Sequence, residues 1–295
     1  MNATAADGSS VRPILVGIDG SSSALAAARW AAREAGIRKA SIRLVNAFGW
    51  MPVHDADDPV QIVPDARDAL RRTAEERLAA AAAEVAEVAP DVPVSQEVTT
   101  GMPAALLVSL SAEAQLAVVG HRGLGGFAGL VIGSVGTALA AHAVCPVVVV
   151  RGTDAPRRDG PVVVGLDGSP QSEAALAFAV EAAVARRVPL RAVRAWLDPA
   201  VPYVVTGPAD WDEEVKRQQG LLSEQLVGWR EKYPDLRVEP ILEQDRPAHA
   251  LAQSTGDAQL VVVGSRGRGG LTGMLLGSVS QAMLQHAECS VAVVR

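Results

Sequence analysis

The chain has 295 residues, room for two domains of ordinary size, and 49% hydrophobic with 20% charged residues is a globular rather than a disordered composition. A net charge of −6 argues against a nucleic-acid binder, and no apolar run approaches the roughly 20 residues that span a bilayer. Met1 to Arg12 lacks the apolar core of a secretory signal, so a cytoplasmic protein is expected.

Aromatics are only 3% of residues, which leaves the core to Ala, Val and Leu. Residues 14–18 are β-branched and predict a strand, followed by an Ala-rich helix over 22–35. Residues 42–47 predict a strand, 65–89 a long helix of strong formers, and 92–98 a third strand. Pro103 suits the first turn of the next helix. A short buried strand over 116–119, a helix over 134–143 and a final strand over 147–150 complete the first half. Residues 151–161 show no periodicity and read as a linker. The expected division is 1–152, a linker at 153–160, and 161–295. The second half repeats the pattern, with Ser169-Pro170 as an N-cap and N1 pair.

The repetition is explicit. Val16-Gly17-Ile18-Asp19-Gly20-Ser21 returns as Val164-Gly165-Leu166-Asp167-Gly168-Ser169, an offset of 148 residues. A glycine-rich loop also returns, at an offset of 144. The first copy is Gly120-His121-Arg122-Gly123, then nine residues that include Gly125 and Gly126, then Gly133-Ser134. The second is Gly264-Ser265-Arg266-Gly267, then nine residues that include Arg268, Gly269 and Gly270, then Gly277-Ser278. Glycines let backbone N–H groups approach an anion without a Cβ in the way. The serine is expected to begin a helix, with its hydroxyl and the N–H groups behind it aimed at one point. Strands alternating with helices imply a parallel sheet covered on both faces, whose ligands bind beyond the strand C-termini. Asp19 and the loop at Gly120 both follow strands, so they share one crevice. The valine-rich last strands would aggregate as open edges, which predicts that the halves pair through them as an intrachain pseudo-dimer.

Together the loops, the V-G-x-D-G-S strand ends and the closing C-P-V-V-V-V resemble the universal stress protein family over nearly the whole chain. The resemblance is to tandem two-domain members of the kind common in actinobacteria. It implies an α/β fold of two doubly wound five-stranded parallel-sheet domains, strand order 3-2-1-4-5, of the adenine nucleotide alpha hydrolase-like type. It implies ATP as the ligand, and Mg²⁺ is expected to accompany the phosphates because too few protein cations are available to neutralise them. Asp19 and Asp167 then match the residue that holds the adenosine part, with Gly17 and Gly165 lying close to the ligand and Val45 and Val193 beside adenine. Gly120, Gly123, Gly133 and Ser134, with Gly264, Gly267, Gly277 and Ser278, match the ribose- and phosphate-binding loop. Val135, Val279 and Ser280 follow with backbone N–H groups, and Asp198 is placed to reach a ribose hydroxyl where the first half has Trp50.

Alternatives stay open on the residues alone. Asp19 and Asp167 each precede Gly-Ser and also fit Asx-type turns. Arg122 and Arg266 are either solvated charges or phosphate partners. Trp50 and Trp211 read as packing or lid residues. Cys145 and Cys289 read as reduced, packed thiols, and His142 and His286 as helix-end residues. No lysine falls in either loop, and no acidic or amide residue lies between Gly120 and Ser134, so no phosphoryl-transfer machinery is visible. No catalytic or metal-ligating residues are assigned, and ATP hydrolysis is expected to be slow or incidental. The leading reading is an ATP-binding regulator of a stress or dormancy response. A scaffold with vestigial sites, a slow ATPase or adenylyl-transferring enzyme, and a cyclic-AMP-binding regulator are the alternatives. An unidentified protein partner and a homodimer are compatible with each.

Overall fold

The computed structural model describes residues 11–48, 64–124, 132–152, 159–196, 208–268 and 275–295. The first half runs β1 (Ile14–Gly17), α1 (Ser22–Arg38), β2 (Ile42–Phe48), α2 (Pro64–Val88), β3 (Val94–Thr100), α3 (Pro103–Leu110), β4 (Leu116–Gly120), α4 (Ser134–His142) and β5 (Val147–Val150). The second runs β6 (Val162–Gly165), α5 (Pro170–Arg186), β7 (Leu190–Ala195), α6 (Pro208–Lys232), β8 (Val238–Glu243), α7 (Pro247–Gln253), β9 (Leu260–Gly264), α8 (Ser278–His286) and β10 (Ser290–Val294). Ser169 caps α5 through its side chain, and Pro170 and Pro103 occupy first turns as expected. The third strand starts later than expected because the Val92 N–H is used in a turn to Ala89 O at 3.1 Å.

All ten strands join one sheet, ordered β3-β2-β1-β4-β5-β10-β9-β6-β7-β8, so each half has the order 3-2-1-4-5. Pairing within each half is parallel, as near-continuous apolar strands covered on both faces require. The join is antiparallel, with Val291 opposite Val149 and Val293 opposite Val147. The valine edges are thereby buried against each other, and Val147 to Val150 are at most 4% exposed.

Successive strand residues face opposite ways, which builds two cores. Ile14, Val16 and Leu44 pack with α1 and α2, in one layer with Val162, Val164 and Leu190 of the other half. Leu15, Leu107 and Leu139 form the opposite layer, shared with Val163, Leu251 and Met283. Both layers run through both halves. Polar contacts reinforce the join. Glu34 is 2% exposed and lies between Arg38 of its own helix and Arg186 of α5. Arg38 covers the Phe178 ring and Arg186 the Trp30 ring, at 5.2 and 5.8 Å from the centroids. Arg151, after β5, donates to Leu284 O and Ala287 O at the end of α8, and Arg295, after β10, to Ala140 O in α4. Cations thus complete carbonyl-rich helix ends across the join.

No helix among the described residues is long and apolar enough to cross a membrane. Cys145 and Cys289 are buried and no disulfide joins them. Burial pushes the Cys145 thiol up to about 11, which keeps it protonated at neutral pH.

Candidate functional site

β1 pairs in parallel with β2 on one side and β4 on the other, so the order in which strands are added reverses between β1 and β4, the place where such sheets leave a crevice at the strand C-termini. Asp19 follows β1 and His121 follows β4; in the second half Asp167 and Ser265 occupy these places. The structure brings each acid to its glycine loop. Asp19 Oδ1 accepts from Ser21 N at 2.9 Å and Ser21 Oγ at 2.6 Å, while Oδ2 accepts from Leu124 N at 2.9 Å. Asp167 repeats this with Ser169 N and Arg268 N, both at 2.9 Å. The Asx turn is therefore present in both halves, and the same carboxylate also holds the loop. Burial opposes ionisation of Asp167, but hydrogen bonds from Ser169, Arg268 and Ser172 outweigh it and hold its pKa below the ordinary value.

These contacts explain two of the loop glycines without a ligand. A Cβ on Gly123 would overlap Asp19 Oδ2, and one on Gly267 would overlap Asp167 Oδ2. Gly120 lies against the start of α1, where a Cβ would come 2.6 Å from Ser23 backbone atoms. Gly133 differs. Its φ of −70° is ordinary, and a Cβ there would meet nothing closer than 3.8 Å. Among the described residues, neither conformation nor packing requires glycine at that point, whereas a Cβ on its counterpart Gly277 would come 3.3 Å from Arg266 Cα.

Ser134 and Ser278 begin their helices as expected, but neither is the cap residue. The N-caps are Gly133 and Gly277, without side-chain cap bonds, and the serines are the first helical residues. By contrast, α1 and α5 are capped by the Ser21 and Ser169 side chains. A glycine cap supplies no side-chain acceptor, so the first-turn N–H groups of α4 and α8, from Ser134-Val135 and Ser278-Val279 onward, donate to no cap side chain. Each loop is closed at its base by Gly133 N to His121 O at 2.9 Å and Gly277 N to Ser265 O at 2.8 Å.

Other expected residues divide. Val45 and Val193 are 1% and 3% exposed and belong to the layer under α3, α4, α7 and α8. Gly17 and Gly165 lie against Leu107 and Leu251. Arg122, Arg266 and Arg268 are exposed, whereas Ser265 is 1% exposed and inside. The Ser280 hydroxyl turns inward to Ser265 O and Gly277 O, at 3.1 and 2.9 Å. Burial, then Arg151 and Arg122, pushes the His121 pKa down, so its ring is neutral at neutral pH and adds no charge. Gly125, Gly126, Gly269, Gly270, Asp198, Trp50 and the Trp211 side chain lie outside the described residues. No group of three or more metal-ligating side chains occurs among the described residues. Ser23, whose hydroxyl donates to Arg122 O, was not singled out from the sequence, since Gln171 takes its place in the other half.

The Usp model, described as the universal stress protein family, matches residues 10–151 and again 160–295. A curated universal stress protein of Mycolicibacterium smegmatis is 41% identical over 286 residues, 96% of each chain. Universal stress protein Rv2623 of Mycobacterium tuberculosis is 38% identical over 296 residues, 98% of each. The crystal structure of a universal stress protein from Archaeoglobus fulgidus superposes with a TM-score of 0.70 at 18% identity, covering 96% of this chain and 98% of the other, a likeness of fold.

Proposed function

This chain belongs to the universal stress protein family, and on that premise we propose that each half binds an adenine nucleotide, ATP with Mg²⁺, at the crevice between its acid and its glycine loop. The observation that carries the reading is Gly133: a glycine that none of the described residues requires, at the start of α4 without a side-chain cap. An anion there meets free N–H groups and the positive helix end. Residues Ser134, Val135, Ser278 and Val279 would hold phosphates through backbone N–H groups, and Val45 and Val193 would floor the adenine. Mg²⁺ would supply charge that the exposed arginines alone do not. The nucleotide state then sets the protein's regulatory output in a stress or dormancy response, with at most slow hydrolysis. No lysine enters either loop to support phosphoryl transfer.

Calorimetry on nucleotide-free protein with ATP and Mg²⁺ is expected to show two sites. Gly120→Glu is a poor probe of them, because its side chain would separate β4 from α1 whether or not nucleotide binds. Gly133→Asp is better. The conformation accepts a side chain, and Asp is a good N-cap, so melting should stay level or rise by a few tenths of a kcal/mol. The same carboxylate would occupy the anion position, so one of the two sites should vanish. Absence of ATP binding to the parent protein, or both sites surviving in the variant, rejects the assignment and leaves the loops as structural joints.

Asp167→Ala should weaken the second site by on the order of 1.5–3 kcal/mol if the acid bonds the adenosine part. It also frees the Arg268 N–H, so the loss includes looser anchoring of the loop. Unchanged affinity would reduce Asp167 to a turn residue.

A further inference from the structure

The fifth residue of the second strand separates the halves. In β2 it is Asn46, whose Nδ2 donates to Ile18 O at 2.8 Å. In β7 it is Arg194, only 4% exposed. Arg194 Nε donates to Gln218 Oε1 at 2.7 Å and Nη1 to Gln225 Oε1 at 3.1 Å. Both acceptors are neutral amides. Among the described residues no carboxylate pairs with this guanidinium. Glu214, the nearest through Gln218, is taken up by Arg217 at 2.6 and 2.7 Å, and Asp167 by its turn and loop. A buried cation with no counter-ion is costly.

A second guanidinium joins it. A Cβ placed on Gly168 would lie 3.8 Å from Arg194 Nη1 and also 3.8 Å from Arg268 Nη2, so the two cations converge over this glycine. Burial lowers the Arg194 pKa and repulsion from Arg268 lowers it further, although the nearby charges of Asp167 and Glu214 partly offset this without bonding to it. The same residues close one end of a cavity of about 610 Å³ between α5 and α6. Leu221, Gly228 and Trp229 supply an apolar wall. Lys232 completes that wall, its ammonium 5.4 Å from the Trp229 ring centroid. Glu173 and Glu224 also line the cavity, with Glu173 accepting from Gln225.

We propose that this cavity binds a small phosphate monoester with an apolar or aromatic body, its phosphoryl group between Arg194 and Arg268 and its body on Trp229. Three cations against two carboxylates favour a singly or doubly charged ligand over a polyanion. Paired guanidiniums suit phosphoryl oxygens. The cavity adjoins the nucleotide crevice at Gly168 and Arg268 but extends from the other face of the sheet. Val193, on that crevice's side, and Arg194 are adjacent in β7 and face opposite layers. It occurs once per chain, because the first half has Asn46 in place of Arg194 and the Arg77 side chain packs directly over Gly20, the counterpart of Gly168.

Phenyl phosphate is the probe, titrated into the full chain with and without saturating ATP and Mg²⁺, by calorimetry. One site per chain is expected under both conditions. Arg194→Asn, which installs the first half's residue, should weaken it at least tenfold. Arg268→Ala, at an exposed position that does not threaten folding, should weaken it as well, measured with ATP present. No binding to the parent chain overturns the proposal, as does equal binding by both variants. Competition by ATP overturns it too, since the phosphate would then be occupying the nucleotide crevice.

Discussion

Expressed without its partner half, the first half (residues 1–152) should fail to remain a soluble monomer. Its β5 edge, Val147 to Val150, is apolar throughout and loses the antiparallel partner β10. Fully burying a valine contributes about 1.5–3 kcal/mol, and an unpaired edge leaves its backbone N–H and C=O groups seeking another strand. The loss extends beyond the edge, because both core layers continue into the second half. Trp30, only 9% exposed, would lose the Arg186 guanidinium above its ring. The expected product is a dimer that pairs β5 with β5, or an aggregate, seen by analytical ultracentrifugation. A folded, stable monomer at high concentration would show that another element can cover the edge.

Glu34→Ala is expected to be strongly destabilising. Removing the carboxylate leaves Arg38 and Arg186, 20% and 12% exposed, beside each other with no anion between them. Breaking a buried ion pair from one side costs about 3 kcal/mol or more. For a protein of this size about 2–4 °C is lost per kcal/mol, so the melting temperature should fall by about 6–12 °C. Glu75→Ala is the control, since its pair with Arg71 is exposed on both sides at 51% and 68% and contributes only about 0.3–0.5 kcal/mol. Because Arg186 belongs to α5, the loss should also loosen the join between the halves, visible as faster amide exchange in β5 and β10. Equal melting of the two variants would mean that the stacking of Arg38 on Phe178 and Arg186 on Trp30 compensates for the missing charge.

Much of the architecture was legible in the chain because it rests on near neighbours. Strand and helix succession, the Ser169-Pro170 start of α5 and the duplicated loops follow from local periodicity and fixed spacing. Pairing of the last strands was legible too, since an uncharged valine run with no other cover has few stable places. The family resemblance supplied the strand order, and the sheet bears it out. Contacts between residues far apart in the chain were decided by the tertiary structure. Gly123 and Gly267 are glycine because an acid a hundred or more positions earlier closes on them. The helix starts at Ser134 as expected, but its cap falls on Gly133 because a cap is defined by backbone geometry, which a Gly-Ser pair leaves undetermined. Glu34 and Arg194 look in sequence like ordinary surface charges on a helix and a strand. Only folding shows that one is enclosed by cations from both halves and that the other is buried against two amides beside a cavity, because burial depends on what the rest of the chain places over a residue.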